Sequence, residues 1–256
     1  MQITAGLRLR QICLVARQLE PLIDDLAAIM GLRVCYRDGN VAKYGLNNAL
    51  LPVNDILLEV VAPFRDGTAA GRFLDKTGGR GGYMAIFSCN DPRERERNAE
   101  AMGVRVSHVI DRPPYLGVQL HPRDCRGAFI EFNHTADSDN LFGPYPPAGP
   151  DWHLAVCTDV TLAVKGVEMS SPDPQNLAAH WGRLLGAQVS MDKSDEPCIA
   201  LVNGQIRFVK GQSEAMTALM FEVADMNSVL SRATERGYAS TGQSFAIGGV
   251  DFHLTS

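Results

Sequence analysis

Val118 to Phe132, V-Q-L-H-P-R-D-C-R-G-A-F-I-E-F, reads as two short strands joined by a polar turn. Pro122, Asp124 and Gly127 supply the turn chemistry. In the second strand the period of two puts Ala128, Ile130 and Phe132 on one face, and Phe129 and Glu131 on the other. A carboxylate inside an apolar strand is costly to bury unless a proton, a cation, a hydrogen-bond donor or water meets it. What meets Glu131 is therefore the functional question.

Outward from this stretch, the same order of elements occurs twice. Leu7 to Ala16 reads as a strand, and Gln18 to Met30 as a helix with Leu22, Leu26 and Ile29 on one face. Gly31 is placed as its C-cap, and strands are expected at Leu32–Tyr36, Ala42–Leu46 and Ile56–Val61. The second pass has a strand at Gly82–Cys89, a charged helix at Asp91–Met102, a cap at Gly103 and further strands from Val104. G-L-R-V at Gly31 and G-V-R-V at Gly103 are 72 apart (103 minus 31). Glu59 and Glu131 share that offset (131 minus 59), as do Gln11 and Tyr83 (83 minus 11). Agreement at cap, first strand and last strand marks residues 7–62 and 80–134 as duplicated repeats. Gly78 to Gly82 precedes a strand and opens no helix, so it reads as a flexible link and not as a phosphate loop.

Ala136 to Trp152 is rich in Pro, Gly and Asp and reads as a linker. Beyond it the pattern returns in decayed form. A strand at Thr161–Met169, a helix at Pro174–Leu185, a cap at Gly186 and strands at Ala187–Met191, Cys198–Val202 and Gln205–Val209 make a third repeat. Ala218–Ala224, a helix at Met226–Arg236, a cap at Gly237 and Phe245–Leu254 make a fourth, shorter one in which a strand is expected to be missing. The domain division is thus 1–135, a linker at 136–152, and 153–256.

A chain of 256 residues with 45% hydrophobic and 21% charged residues fits one large or two ordinary globular domains. A net charge of -5 argues against nucleic acid or an anionic membrane as the main partner. The first residues lack the apolar core of a signal peptide, and no apolar run approaches the roughly 20 residues that cross a bilayer. Six cysteines without C-x-x-C spacing read as core thiols in a reducing compartment, so a cytoplasmic protein is expected. No G-x-S-x-G elbow or H-E-x-x-H segment supports a serine hydrolase or a zincin.

Four βαβββ repeats in two pairs resemble the vicinal oxygen chelate superfamily, which includes glyoxalase I, methylmalonyl-CoA epimerase, extradiol dioxygenases and bleomycin-resistance proteins. The L-H-P-R-D…G-A-F-I-E-F stretch is similar to the last hairpin of the epimerase, where an H-P-K segment leads to a glutamate metal ligand. The resemblance implies an α+β fold, with paired repeats curling into cradles and the C-terminal pair degenerate. It also implies ligand positions on first and last strands, which places Gln11, Glu59, Tyr83 and Glu131 there. The histidines usual at the first-strand positions are replaced by Gln11 and Tyr83. Gln11, Glu59 and Glu131 then make an all-oxygen metal set favouring Mg or Mn over Zn or Fe, since a neutral tyrosine is a poor ligand. In the third and fourth repeats the matching positions are Gly166, Phe208, Ala218 and His253, a set that holds no metal.

The expected function is enolate-type lyase or isomerase chemistry on a small oxygenated molecule, assisted by the metal if one binds. Glu131, Glu59 and Tyr83 are the expected catalytic residues, with His121 and Phe129 at the substrate. His121 has a competing reading as a turn histidine that satisfies backbone groups. The alternative function is a metal-free binding or sequestering protein; an extradiol dioxygenase ranks last, because no histidine pair stands at the right positions. The partner is a small molecule, and association into a homodimer is left open.

Overall fold

The structure, a computed structural model, describes residues 6–137 and 140–256. It is a mixed α+β protein built from four repeats. The first holds β1 (Arg8–Val15), α1 (Glu20–Met30), β2 (Leu46–Val53) and β3 (Ile56–Pro63), followed by α2 (Ala69–Thr77). The second holds β4 (Gly82–Ser88), α3 (Pro92–Ala101), β5 (Val106–Arg112), β6 (Tyr115–Leu120), the single turn α4 (Pro122–Cys125) and β7 (Phe129–Thr135). The third holds β8 (Thr161–Ser171), α5 (Pro174–Leu185), β9 (Val189–Met191), β10 (Pro197–Leu201) and β11 (Gly204–Lys210). The fourth holds β12 (Ala215–Val223), α6 (Met226–Glu235), β13 (Ser240–Thr241), β14 (Ser244–Ile247) and β15 (Val250–Thr255). Among the described residues no helix is long and apolar enough to cross a membrane.

Local chemistry explains most of these elements. Gly31 and Gly186 take positive φ (69° and 59°) and close α1 and α5, as their sequence positions require. Asp91, Asp173 and Asp225 cap α3, α5 and α6 with side-chain oxygens on backbone N–H groups. Three expectations need correcting. Leu32–Tyr36 is not a strand; it makes one isolated bridge, Tyr36 to Leu50. Gly39–Tyr44 is a 3-10 helix where a strand was expected, because the Asp38 carboxylate accepts from the Asn40 N–H and starts a turn. The fourth repeat has all its strands, with Gly248 and Gly249 turning β14 into β15.

Two compact units emerge, each assembled from separate stretches of chain. One takes Met1–Gln11, Met84–Pro146 and Lys165–Thr217; the other takes Ile12–Tyr83, Pro147–Val164 and Ala218–Ser256. Linear order and packing answer different questions: the sequence division marks where a repeat ends, and the units gather whichever repeats bury surface on each other. In the first unit, β4–β7–β6–β5 and β8–β11–β10–β9 are the hydrogen-bonded strand orders. Its helices α3 and α5 cover one face of these strands, with Phe87 and Phe132 (6.2 Å between centroids) and Trp181 and Phe208 (6.2 Å) in the core. Arg126 ties the two repeats together: it ion-pairs with Glu214, donates to Asn176 Oδ1 at 2.8 Å, and its carbonyl accepts from Trp181 Nε1 at 3.0 Å. In the second unit, Phe221, Phe252 and Phe245 stack in sequence under α6 (4.7 and 5.5 Å), and Arg236 of the α6 C-cap reaches Asp25 of α1 at 2.9 Å.

Candidate active site

Glu131 stands in the middle of β7, directly opposite Gln119 of β6, with Gly117 opposite Asn133 and Tyr115 opposite Thr135. Paired residues in a ladder share a face. The other face of β7, led by Phe132, packs toward α3, where the Arg95 guanidinium lies 5.9 Å over the Phe132 ring. Glu131 therefore points away from the helix, as its alternation with Ile130 and Phe132 predicts. It is only 2% exposed. The carboxylate meets hydrogen-bond donors: Tyr115 gives its phenolic proton to Oε1, and Gln119 Nε2 donates to Oε2 at 2.8 Å. Charge-assisted bonds of this kind offset the cost of taking the carboxylate out of water. Gly117 makes room for them, since a Cβ there would lie 2.9 Å from both Glu131 Oε1 and Tyr115 Cε1.

Burial raises the Tyr115 phenol well above the ordinary tyrosine range, and the neighbouring Glu131 and Tyr145 raise it further. Tyr115 is thus a proton holder and a donor at neutral pH. The network runs on to Tyr145, which contacts Tyr115 and donates to Gln11 Oε1 at 2.9 Å. Each phenol carries one proton, so contacts to Glu131, to Gln11 and between the phenols are not all donated at once. Arg10 lies 4.5 Å over the Tyr145 ring, and its Nη1 donates to the Leu141 carbonyl at 3.1 Å. On the Glu131 face of β7, Ser88 donates to Asn133 Oδ1 at 2.8 Å, leaving Asn133 Nδ2 and Thr135 Oγ1 buried without a protein partner.

The structure brings Gln11 and Glu131 to the two ends of one polar chain. Sequence reasoning missed the middle of it: Tyr115, Gln119, Tyr145 and Arg10. Period-two alternation marks Tyr115 and Gln119 as facing with Glu131 once the hairpin register is known. Tyr145 sits in the stretch read as a linker and gives no such signal.

The remaining expected residues are placed as follows. Glu59, 8% exposed, belongs to the second compact unit, where Asn48 Nδ2 donates to it at 2.7 Å while Asn48 Oδ1 accepts the Asp38 N–H at 2.8 Å. Asn48 also lines an open cleft of about 550 Å³ with Arg17, Glu20, Arg37 and Asp38. Tyr83, of the same unit, packs edge-on against Phe73 (4.9 Å), and burial pushes its phenol above the usual range. His121 caps α4, its Nδ1 accepting from the Arg123 N–H at 3.3 Å. Beside it Arg105 grips Asp124 at 2.7 and 2.8 Å and holds that carboxyl well below its ordinary value. Phe129 is half-buried on the Glu131 face, paired with Met84 as Glu131 is with Ile86. In the third repeat Phe208 lies in the helix-covered core, and Arg207 takes the opposite face in an ion pair with Glu168.

The metal set can be tested on these contacts. A divalent cation needs oxygens whose lone pairs face a common coordination sphere. Here Gln11 Oε1 and both Glu131 oxygens are met by O–H and N–H donors from this chain, and Glu59 is met by Asn48. Among the described residues no group of three or more His, Cys, Asp or Glu side chains is gathered to hold an ion. As these side chains stand, the donor set does not fit a divalent metal.

No family model matches the chain, and no curated protein matches it in sequence. Solved structures do match in fold. A hypothetical protein from Staphylococcus aureus aligns over 97% of this chain and 98% of its own, with TM-score 0.67 and 12% identity. The Mn(II)-bound glyoxalase from Novosphingobium aromaticivorans aligns over 96% and 80%, with TM-score 0.65 and 14% identity. A mutant of 4-hydroxymandelate synthase from Streptomyces coelicolor aligns over 93% and 78%, with TM-score 0.68 and 12% identity. The chain has the glyoxalase-like, vicinal oxygen chelate fold.

Proposed function

We propose, for a chain with the vicinal oxygen chelate fold, that it is an enzyme acting on a small oxygenated organic molecule. The reaction is enolate-type lyase or isomerase chemistry, with Glu131 moving the proton on a carbon beside a carbonyl. The observation that supports this reading most is the burial of Glu131 between two oriented donors. Tyr115 and Gln119 fix the carboxylate's plane, and a fixed, desolvated carboxylate is suited to proton transfer. The negative charge that develops on the substrate oxygen needs donors of its own. Asn133 Nδ2 and Thr135 Oγ1, on the same face of β7 and without protein partners, are the groups assigned that role. His121 and Phe129, in the same unit as Glu131, are the proposed substrate contacts.

The second reading is a metal-free protein that binds or sequesters a small molecule. It is favoured by one observation, that the oxygens at the expected metal positions already carry hydrogen bonds from this chain. One experiment separates the two. A panel of small ketones and 2-oxo acids is screened by thermal shift, and each compound that stabilises the protein is followed by NMR in D2O. The enzyme reading expects deuterium at the carbon beside the carbonyl of at least one compound. Stabilisation without exchange across the panel overturns it in favour of binding.

A further inference from the structure

We infer that the slot filled by the Tyr145 side chain is a binding site for a phenol-bearing ligand, held by the chain's own Leu141–Tyr145 segment until a ligand displaces it. The inference rests on the reading of the Glu131 network as the functional site, and it names the chemical class that the site takes. Tyr145 is 2% exposed, and its surroundings match a phenol group by group. The Arg10 guanidinium lies 4.5 Å over the ring, the geometry of a cation–π contact. The hydroxyl donates to Gln11 Oε1 at 2.9 Å and touches the Tyr115 phenol, which in turn donates to Glu131. The Tyr115 ring stands edge-on to it at 6.1 Å. A plain apolar plug would need none of the polar contacts; a hydroxylated aromatic uses all of them.

The segment that carries Tyr145 is held by side chains and not by regular structure. Leu141 and Phe142 are 43% and 44% exposed, so the chain keeps two apolar side chains in solvent while it buries a tyrosine. The segment forms no helix and belongs to no strand, so its release breaks no ladder. Segments of this kind open at the low end of a protein's range of local stabilities. A ligand phenol that replaces Tyr145 would present its hydroxyl to the Tyr115 phenol that donates to Glu131. Its apparent affinity would be its intrinsic affinity reduced by the fraction of molecules in which the slot is open.

The test uses Tyr145→Ala with 4-methylphenol and toluene as probes, which share ring and methyl and differ in the hydroxyl. We expect 4-methylphenol to raise the thermal midpoint of Tyr145→Ala saturably, with an affinity at least tenfold above that of toluene. We expect Gln11→Ala in the same background to erase that preference. In the wild type, 4-methylphenol should speed chymotryptic cleavage after Phe142 severalfold by releasing the segment. If Tyr145→Ala does not fold, Tyr145→Phe keeps the ring and should show the same acceleration at lower 4-methylphenol concentration. Equal effects of the two probes, or cleavage unchanged by 4-methylphenol, overturn the inference and leave the role of Glu131 standing. Phenol binding together with no carbon–proton exchange in any ketone or 2-oxo acid of the panel would instead remove the enzyme reading and leave the slot.

Discussion

Tyr115 of β6 and Glu131 of β7 share one face of the strand pair, and the phenol of one gives its proton to the carboxylate of the other. This contact lets a charge sit inside the strand. Tyr115→Phe removes one of the two named donors without changing the ring. The expected cost is about 1–3 kcal/mol, the penalty for leaving a buried acceptor short of a partner. Urea unfolding measures it; a variant as stable as the wild type would mean that the contact contributes nothing.

Gly117 protects the same contact by its lack of a side chain. It does not take positive φ, so the expected effect of Gly117→Ala is steric, with the new Cβ 2.9 Å from Glu131 Oε1 and from the Tyr115 ring. Overpacking of this kind costs about 1–3 kcal/mol, which lowers the thermal midpoint by roughly 2–4 °C per kcal/mol in a chain of this size. An unchanged midpoint would show that the ring and carboxylate are free to move aside.

Alkaline pH should unfold the protein through its buried phenols. Tyr115 and Tyr83 are held above their ordinary range, chiefly by burial, and Tyr238 is pushed up to about 12 by burial and then by Asp25. An unfolded tyrosine loses its proton near pH 10, before the folded one does. Above about pH 10 the unfolded state therefore holds fewer protons, so stability present below that pH falls as pH rises. Absorbance at 295 nm should show these phenolates appearing together with unfolding. Their appearance in a protein still folded by circular dichroism would contradict the burial.

Divalent metal should do little. A metal at a hundredfold excess over its dissociation constant adds about 2.7 kcal/mol to stability, a rise of roughly 5–10 °C. Because the oxygens of Gln11 and Glu131 already accept from Tyr145, Tyr115 and Gln119, Mg or Mn is expected to move the midpoint by less than about 1 °C. A shift of several degrees would show that the cation displaces these donors.

The repeats were legible because their punctuation is local. Gly31 and Gly186 each cap a helix by needing no Cβ at positive φ, and Pro174–Leu185 carries its apolar stripe within one helix. The helix α2 carried a signal that the neighbouring glycines masked: Thr68 caps it by accepting from the Gly71 N–H at 2.9 Å, and Gly78 ends it. Ala70 and Leu74, one turn apart, are its buried face. The site was only half legible. Glu131 announces itself as a charge among apolar neighbours, and the shared offset adds Gln11. Tyr145 lies 134 residues from Gln11 in a stretch without period, and no local pattern encodes a contact of that separation. Phe208, which matches Glu131 by its place in the repeat, packs on Trp181 in the core, while its neighbour Arg207 pairs with Glu168.

The most direct measurement is deuterium exchange at the carbon beside the carbonyl, made with Glu131→Gln on whichever compound the wild type turns over. The substitution keeps size and removes the base, and circular dichroism checks that the fold is kept. The account predicts exchange at least a hundredfold slower than in the wild type, about the contribution of a positioned general base. Exchange at the wild-type rate in a folded Glu131→Gln would contradict it.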